Sequence, residues 1–504
     1  MPNPLYDTLF GRHAGSTDVF LYTADGGELS YEAFLEQTAQ VAHALTHLGL
    51  RAGDRVAVQI EKSPEALALC AACAQAGFVF LPLNTAYTAK ELQYFIENSG
   101  AALVVCDSSG KAALASVVEG TGAKLETLDG DGSGSLMTLA QGQPTEFETV
   151  DRDGEDLAAF LYTSGTTGRS KGAMLSQNNL LSNAQTLVKE WRFTKDDVLL
   201  HALPIFHTHG LFVATNVCLA VGCSMIFLPK FDTEQVLTYL PKATSMMGVP
   251  TFYTRLLDDA RFDKALASHM RLFISGSAPL LAETHIRFED RTGHRILERY
   301  GMTETNMNTS NPYEGERRAG TVGFPLPDVE LKITDPDTSE PVPQGDVGII
   351  EVRGPNVFQG YWQMPEKTAA ELREDGFFIT GDLGRMDEDG YVTIVGRGKD
   401  LIISGGFNIY PKELELLLDD QPGVLESAVI GVPHADFGET PVGILVAESG
   451  QTPDVAAIMT AVQADLARFK HPRKLVVMEA LPRNTMGKVQ KNVLRDQFKD
   501  LFVG

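Results

Sequence analysis

Cysteine is scarce in this sequence and irregularly spaced. Five cysteines occur in 504 residues, and an odd number in a long chain does not predict a disulfide framework. Cys70 and Cys73 have the spacing of a redox motif, but they lie in an alanine-rich stretch without a second pair. We therefore expect buried structural thiols at these two positions.

Positive charge is scarce as well. The chain has 42 Lys and Arg against 66 Asp and Glu, a formal net charge of -24 at pH 7. A surface of this sign repels nucleic-acid phosphates, so we expect no nucleic-acid partner. The exception is residues 468–499, which contain nine basic and two acidic side chains. Such a local basic patch suits a phosphorylated small molecule, and a solvated helix face is the alternative.

Long apolar runs are absent too. The longest nearly uncharged stretch, residues 66–83, is interrupted by Gln75, Gly77 and Pro82, so we expect no membrane span and no membrane partner. Ser63 and Pro64 instead predict the start of a buried helix, which a strand follows. The N-terminal segment has neither a basic region before an apolar core nor a cleavage site, which predicts a cytoplasmic protein.

Apolar strand patterns alternate with helical patterns along most of the chain. This order predicts an α/β fold with a large N-terminal body of parallel α/β subdomains. After Gly323, short turn-rich strands predict a small antiparallel, β-barrel-like module. The final part of the chain has its own strands and helices, which predicts a smaller, mobile α+β C-terminal domain. We place the N-terminal domain at residues 1–395, a hinge at 396–400 and the C-terminal domain at 401–504, because Gly396 and Gly398 flank that joint.

Residues 163–172, TSGTTGRSKG, are all hydroxyl-bearing, glycine or basic. Glycine-rich turns expose backbone N–H groups that bind anions, and hydroxyls and a lysine complete such a site. A P-loop is excluded, because Lys171 is followed by Gly172 rather than by Ser or Thr. The segment therefore predicts a phosphate-binding loop of another class, and a solvated linker is the alternative.

Four further motifs follow along the chain: YGMTET at residues 300–305, TGDLG at 380–384, GRGKDLIISGG at 396–406 and PRNTMGK at 482–488. In this order, and with the 163–172 loop, they resemble the adenylate-forming superfamily of acyl-CoA synthetases, firefly luciferases and peptide-synthetase adenylation domains. The resemblance spans nearly the whole chain. It implies a ligase that first makes an acyl-adenylate and pyrophosphate; the small domain then rotates, and a thiol displaces AMP. Mg²⁺ is the implied cofactor, and ATP and CoA are the implied co-substrates.

The resemblance also assigns residues to the nucleotide. Lys488 is the implied catalytic residue, because a cation between the substrate carboxylate and the α-phosphate lets two anions meet. Glu304 and Thr163 are the implied Mg²⁺ ligands, and Asp382 and Arg397 the implied ribose contacts. The implied ATP-binding residues are Thr163, Ser164, Gly165, Thr166, Thr167, Gly168, Lys171, Gly276, Ser277, Ala278, Glu298, Tyr300, Gly301, Met302, Thr303, Asp382, Arg397 and Lys488.

The same resemblance places His207, in PIFHTHG, where the acyl carbon and pantetheine meet, as a second catalytic residue. Amino-acid adenylators carry an aspartate in the corresponding region, so we expect an acid without an amino group. A metal site at His207 and His209 is disfavoured, because no further ligands lie nearby in the sequence.

Arg255, in VPTFYTRLL, and Arg299, in ERYGMTET, lie in segments that line the acyl pocket in this family. A cation beside a substrate that already has one reactive carboxylate predicts a second carboxylate, which arginine binds with two hydrogen bonds. These segments most resemble malonyl-CoA synthetases, so we expect malonate, with methylmalonate as an additional substrate and Ser277 at the pocket wall. The alternatives are ion pairs of the arginines with Asp258 and Glu298, and an acyl-CoA synthetase for another short or medium acid.

Two C-terminal segments, ARFKHPRK and GKDLIISGG, resemble the parts of the family that meet CoA. Lys470 and Arg473 are the implied contacts of its phosphates, and Gly405 and Gly406 leave room for the pantetheine arm. Lys399 stands at the family's hinge position, where many members have an acidic residue.

The PRNTMGK segment also resembles the context in which bacterial acyl-CoA synthetases are inactivated by lysine acetylation. A protein lysine acetyltransferase and a deacetylase acting on Lys488 are therefore further expected partners. Two other functions fit the motifs: an adenylating enzyme that loads a carrier protein or oxidises its adenylate, and a catalytically silent nucleotide-binding protein. The silent protein is disfavoured, because Lys171, Glu304, Asp382 and Lys488 are all present.

Overall fold

A computed structural model describes residues 2–163, 170–278, 280, 282–335, 338–397, 402–409, 411–448, 450–482 and 489–502. The chain forms two compact units. The first comprises Met1–Thr85, Phe95–Leu161 and Gly172–Val395, and the second Ala86–Tyr94, Tyr162–Lys171 and Gly396–Gly504. The second unit thus contains two short segments from the first part of the sequence. The predicted domain limits and hinge stay a prediction.

The largest sheet of the first unit has nine strands. Its five central pairs are parallel, and antiparallel strands form both edges. Ser245–Gly248 and Leu272–Ser275 are buried along their whole length, and the next two central strands are buried except at their first residue, as expected for a sheet covered on both faces. In spatial order the strands are Phe324–Pro325, Asn306–Ser310, Leu297–Met302, Leu272–Ser275, Ser245–Gly248, Val198–His201, Ser224–Phe227, Val19–Thr23 and Glu28–Ser30.

A second sheet has six strands, and the pairs among its first five strands are parallel. In spatial order these strands are Lys124–Thr127, Leu103–Cys106, Arg55–Gln59, Val79–Pro82, Leu157–Thr163 and Lys171–Ser176. A third, four-stranded sheet begins after Gly323, where the sequence predicts antiparallel strands. Its strands are Glu330–Thr334, Gly348–Arg353, Phe378–Met386 and Val392–Arg397, and the first three pair antiparallel.

The second unit contains a five-stranded sheet of its own. A long antiparallel pair forms its centre, and one strand joins that pair in parallel. The strands are Phe407–Ile409, Ile402–Ser404, Gly438–Ala447, Val424–His434 and Lys474–Met478.

Helices connect the strands throughout the described ranges. The α-helices are Pro4–Leu9, Tyr31–His47, Pro64–Gln75, Ala89–Ser99, Lys111–Glu119, Ser135–Ala140, Gln177–Glu190, Asn216–Val221, Thr233–Tyr239, Pro250–Asp258, Ala282–Thr292, Pro365–Glu371, Pro411–Asp419, Val455–Asp465 and Lys491–Phe498. The 3₁₀-helices are Gly11–His13, Leu240–Lys242 and Arg468–Lys470, and His209–Thr215 is a π-helix.

Local sequence signals explain where several helices begin. The hydroxyl of Ser63 accepts a hydrogen bond from the N–H of Ala66 at 3.1 Å, and Pro64 is the first helical residue. The predicted start of this helix is therefore confirmed, since the cap satisfies a free N–H and proline needs no donor there. Ser30 caps Tyr31–His47 in the same way, at 3.2 Å from the N–H of Ala33.

The cysteines are free, and burial raises the pKa of Cys70 to about 12 and that of Cys73 as well. Cys73 is buried as expected, whereas Cys70 is half-buried. None of the helices within the described ranges combines the length and the apolar character that a bilayer crossing requires. The predicted α/β class, with parallel sheets in a large body and a smaller C-terminal part, is confirmed.

Candidate active site

A sharp turn follows the strand Leu272–Ser275 of the nine-stranded sheet. Ligands of parallel α/β sheets bind beyond the carboxyl ends of the strands, and this turn begins at such an end. Gly276 donates its N–H to the carbonyl of Gly248 at 3.2 Å. Ser277 has a φ of 69°, and Ala278 is half-buried. A left-handed conformation is uncommon for a residue other than glycine, and it occurs often at functional sites.

Arg299 packs against this turn. A Cβ on Gly276 would lie 2.3 Å from Cζ of Arg299, so only glycine leaves room for the guanidinium there. Arg299 is 3% exposed, and its buried Nε and Nη2 have no hydrogen-bond partner within the described ranges. Burial lowers the pKa of Arg299 to about 9, against the effect of Tyr253 and Glu298. The group is therefore a cation at neutral pH, and a bound anion would remove the cost of burying it unpaired.

His209 lies beside the same turn. Its Nδ1 is 3.2 Å from Oγ of Ser277, and its buried Nε2 has no partner among the described residues. Burial lowers the pKa of His209 well below the usual value, and the charge of Arg299 lowers it further. The structure thus brings together Ser277 and Arg299, both predicted for the acyl site, and adds a neutral imidazole that the sequence analysis considered only as a metal ligand.

A π-helix begins at His209 and extends to Thr215. Such helices are rare and occur often at functional sites. The carbonyl of Gly210 accepts hydrogen bonds from Nε2 of His201 and from Oγ1 of Thr215, each at 2.9 Å. Nδ1 of His201 lies 2.8 Å from Nζ of Lys62. Sequence reasoning missed Lys62 and His201, because neither lies in a motif with recognisable spacing.

His207 precedes the π-helix, and its side chain is exposed. Desolvation by the surrounding protein nevertheless lowers the pKa of His207 to about 4. The imidazole is thus accessible to solvent and also partly desolvated. This combination is typical of a side chain that faces a recess in the protein surface. It is neutral at pH 7, which suits contact with an acyl group.

Tyr300 and Asp382, both predicted nucleotide contacts, are joined by a hydrogen bond. The hydroxyl of Tyr300 donates to Oδ2 of Asp382 at 2.5 Å, and Asp382 is 2% exposed. The N–H of Asp382 donates to Oγ1 of Thr380 at 3.0 Å. These bonds fix the carboxylate of Asp382 between the strands Leu297–Met302 and Phe378–Met386.

The remaining residues of the YGMTET motif continue from the same strand. A Cβ on Gly301 would lie 1.9 Å from the carbonyl oxygen of Asn306, so glycine permits the close pairing of this strand with Asn306–Ser310. Met302 ends the strand and Thr303 follows in a turn, and both are half-buried.

Glu304 is 5% exposed, and its Oε1 lies 3.0 Å from the hydroxyl of Tyr361. The same hydroxyl lies 2.8 Å from Oε2 of Glu371. Sequence reasoning missed Tyr361, which lies outside every motif. Within the described ranges no group of three or more His, Cys, Asp or Glu side chains could hold a metal ion. Glu304 is a single buried carboxylate, and one carboxylate together with phosphate oxygens is a common ligand set of Mg²⁺.

Glu298 precedes Arg299 on the strand but does not pair with it. Its Oε1 accepts the N–H of Leu280 at 3.1 Å, and its buried Oε2 has no partner in the described part of the chain. Burial raises the pKa of Glu298 to about 8. The carboxyl group is therefore mostly protonated at neutral pH and holds the segment after the Gly276–Ser277 turn.

Arg255 lies on the helix Pro250–Asp258. Tyr253, Leu256 and Leu257 are buried on this helix, whereas Arg255 is exposed. Neither the alternative ion pair with Asp258 nor a polar contact with the residues around Arg299 is present among the described residues. The structure thus brings Arg299, and not Arg255, to the Gly276–Ser277 turn.

In the second unit, Lys470 is buried between two carboxylates. Its Nζ lies 2.8 Å from Oε1 of Glu91 and 2.9 Å from Oε1 of Glu413. Arg473 is exposed, and its guanidinium carbon lies 4.8 Å from the ring centre of Phe437. Of the two basic residues predicted to meet CoA, only Arg473 is available at the surface in this arrangement.

Other predicted positions of the second unit lie at strand ends and turns. Gly405 and Gly406 form a turn with φ of 57° and 84°. Thr163 ends one strand and Lys171, which is 6% exposed, begins the next. Arg397 ends the strand Val392–Arg397, and its side chain is not described. Six residues of the phosphate loop (Ser164, Gly165, Thr166, Thr167, Gly168 and Arg169), Lys399 and Lys488 lie outside the described residues.

Comparison with known protein families places this site in a wider group. The model for AMP-binding enzymes matches residues 11–362, and that for the AMP-binding enzyme C-terminal domain matches residues 413–488. The first match covers more than half of the chain. The chain therefore belongs to the family of AMP-binding enzymes.

Individual relatives are similar over different lengths. A malonate–CoA ligase from Arabidopsis thaliana is 38% identical over 377 residues, which cover 69% of this chain and 61% of the relative. The match to a probable CoA ligase from Humulus lupulus likewise spans 61% of that protein, at 40% identity over 68% of this chain. A feruloyl-CoA synthase from Amycolatopsis is 34% identical over 477 residues, 94% of each chain.

Solved structures are similar over nearly the whole chain. The crystal structure of ATP-bound MatB from Rhodopseudomonas palustris is 57% identical, with a TM-score of 0.79 and complete coverage of both chains (100% each). A malonyl-CoA ligase in a ternary product complex with methylmalonyl-CoA and AMP is 37% identical, with a TM-score of 0.80 and coverage of 93% of this chain and 97% of that one.

Proposed function

We propose that the protein ligates malonate to coenzyme A with ATP, giving malonyl-CoA, AMP and pyrophosphate. The observation that carries the proposal is the buried guanidinium of Arg299, which has two donor atoms without a partner in the described part of the chain. A dicarboxylate offers one carboxylate for the reaction and a second one for this cation. Relatives named for malonate support the same substrate. Methylmalonate is an additional substrate in the proposal, since one similar structure holds methylmalonyl-CoA.

The proposed reaction has two steps. A carboxylate oxygen of malonate attacks the α-phosphorus of ATP, which forms a mixed anhydride and releases pyrophosphate. The sulfur of CoA then attacks the acyl carbon, which forms the thioester and releases AMP. Both steps bring anions together, so the protein must supply positive charge where charge develops.

The proposed roles follow from the chemistry of each residue. Asp382, held by Tyr300, accepts hydrogen bonds from the ribose hydroxyls, and the 163–172 loop binds the β- and γ-phosphates. Glu304 holds Mg²⁺, which neutralises phosphate charge when bound. His207, a neutral imidazole, lies beside the acyl carbon. Lys488 remains the proposed catalytic cation of the first step.

Further assignments concern CoA and the chain as a whole. Arg473 is the proposed contact of the CoA phosphates, and Gly405 and Gly406 line the pantetheine path. The proposal also includes a rotation at Lys399 between the two steps. Arg397 contacts the ribose in this proposal, and the protein is cytoplasmic.

Acetylation of Lys488 is the proposed means of regulation, because it removes the charge that the first step needs. An acetyltransferase and a deacetylase are the corresponding partners. We expect treatment with a protein acetyltransferase and acetyl-CoA to abolish AMP formation as Lys488 becomes acetylated, with both followed on one sample by activity assay and mass spectrometry. Full activity with acetylated Lys488, or no modification of Lys488, contradicts this.

The substrate is tested by AMP release from purified protein with ATP, Mg²⁺ and CoA. The acids compared are malonate, methylmalonate, succinate, acetate, butyrate, octanoate and ferulate. A kcat/KM for malonate about a hundredfold above that for butyrate is expected if a buried guanidinium pairs with the second carboxylate. Preference for a monoacid would keep the ligase chemistry and overturn malonate as the substrate.

Replacement of Arg299 is the sharper test. We expect Arg299→Ala to lower kcat/KM for malonate by about tenfold or more and to leave the KM for ATP nearly unchanged, because only the acyl site loses a charge. The unliganded variant should unfold at the same or a higher temperature, since it no longer buries an unpaired cation.

Arg287→Ala, at an exposed position of the helix Ala282–Thr292, is the matched control. Equal losses for malonate and ATP in Arg299→Ala would contradict the assignment. Arg255→Ala in the same series shows whether the exposed arginine also contributes to malonate binding.

A further inference from the structure

Lys62 is a buried lysine outside every sequence motif, and burial lowers the pKa of its amino group well below the usual value. It is 8% exposed, and Nζ lies 2.8 Å from Nδ1 of His201, 2.8 Å from the carbonyl of His201 and 3.0 Å from the carbonyl of Leu203. The ring of Phe227 lies 4.2 Å from Nζ. An ammonium group has three donors, so these three acceptors satisfy it completely. No carboxylate within the described ranges pairs with Lys62, so its burial serves something other than an ion pair.

The hydrogen bonds fix the tautomer of His201. Its Nε2 lies 2.9 Å from the carbonyl oxygen of Gly210, and a carbonyl can only accept, so Nε2 carries the proton. Burial and the charge of Lys62 lower the pKa of His201, which keeps the ring neutral. Nδ1 is then an acceptor, as its contact with Lys62 requires. A continuous chain of donors and acceptors therefore joins Lys62 to the backbone of Gly210.

Gly210 is the second residue of the π-helix His209–Thr215. A Cβ at this position would lie 2.0 Å from the carbonyl oxygen of Pro204, so the peptide is confined on that side as well. The preceding residue, His209, contacts Ser277 through Nδ1 at 3.2 Å. The bonded carbonyl of Gly210 thus lies one residue away from the imidazole that meets the Gly276–Ser277 turn.

We propose that Lys62 is a positioning residue of the acyl site: through His201 it fixes the carbonyl of Gly210 and, with it, the imidazole of His209 against Ser277. The proposal rests on the proposed assignment of Ser277 and Arg299 to the acyl site, beside which His209 lies. This role differs from that of a packing residue. Loss of a packing residue would weaken the whole fold, whereas loss of a positioning residue would weaken the binding of one substrate.

The test compares Lys62→Met, His201→Phe and the double variant by steady-state kinetics. We expect Lys62→Met to raise the KM for the acid about tenfold and to leave the KM for ATP within about twofold, since the bonds that hold Tyr300 and Asp382 do not involve His209. Because Lys62 acts through His201, the double variant should be no worse than the worse single variant. Lys111→Met, at an exposed helix start, is the control and should behave as the unmodified protein.

Each outcome decides for or against the role of Lys62. An unchanged KM for the acid, equal increases for acid and ATP, or additive effects in the double variant would overturn it. His201→Phe, which breaks the same chain of hydrogen bonds, gives the same comparison where Lys62→Met does not fold. The acid in these assays is whichever one the unmodified protein prefers, so a failure of malonate as substrate is seen separately, in the unmodified protein.

Discussion

Arg299 and Glu298 are adjacent in sequence but do not neutralise each other. Successive side chains of a strand point to opposite faces of the sheet, and both residues belong to Leu297–Met302. Glu298 is therefore directed to Leu280, whereas Arg299 packs against Gly276. One face of the sheet thus carries a protonated carboxyl group, and the other carries an unpaired guanidinium. Only the guanidinium is suited to bind an anionic ligand.

The protonated state of Glu298 has a measurable effect on stability. Its pKa is about 8 in the folded protein and about 4.3 in an unfolded chain. Between these values the folded state holds a proton that the unfolded state has lost, so the contribution of Glu298 to stability falls as the pH rises through this window and is constant above it.

Glu298→Gln removes the titration but keeps an acceptor for Leu280. We expect the free energy of unfolding of this variant, relative to the unmodified protein, to rise by up to about 1.4 kcal/mol for each pH unit between about pH 5 and pH 8. Denaturant unfolding at several pH values measures it. Glu119→Gln, at an exposed helix end, is the control. A difference that does not change with pH would show that Glu298 is ionised in the folded protein.

At the scale of elements, the sequence patterns predict what is local. Alternating strands and helices predict the parallel sheets, and Ser63 with Pro64 predicts one helix start, because each depends on neighbouring residues. The sequence motifs also predicted Tyr300 and Asp382 as nucleotide contacts, since both belong to motifs assigned to the nucleotide. Their hydrogen bond still required the fold, because 82 residues separate them.

The π-helix His209–Thr215 shows what local patterns do not contain. Its residues, HGLFVAT, are mostly apolar, and nothing in their spacing distinguishes a π-helix from a buried α-helix. Near its start, the carbonyl of Gly210 is bonded by His201, and His201 is bonded by Lys62, which is 139 residues away from His201. His209 was considered only as a metal ligand for the same reason: its partner Ser277 is 68 residues distant.

At the scale of the whole molecule, the basic C-terminal stretch is partly neutralised inside the second unit. Lys470 lies between Glu91 and Glu413, and Lys491 pairs with Glu415 at 2.6 Å. Lys470 was predicted to contact CoA phosphates from the family resemblance of ARFKHPRK, and its acidic partner Glu91, 379 residues away in sequence, could not be recognised. The charge of this stretch is therefore used in part to hold distant segments of the chain together.

This arrangement predicts that Lys470 contributes to stability more than to CoA binding. Lys470→Met leaves Glu91 and Glu413 buried without their cation, so we expect the free energy of unfolding to fall by about 3–5 kcal/mol. Adding Glu413→Gln to that variant should restore part of the loss, because one of the two repelling charges is removed. Urea unfolding measures both effects, and Lys474→Met, at an exposed position of the strand Lys474–Met478, is the control. If Lys470→Met instead raised the KM for CoA and left stability unchanged, Lys470 would bind CoA phosphates, and its ion pairs would have to open during the reaction.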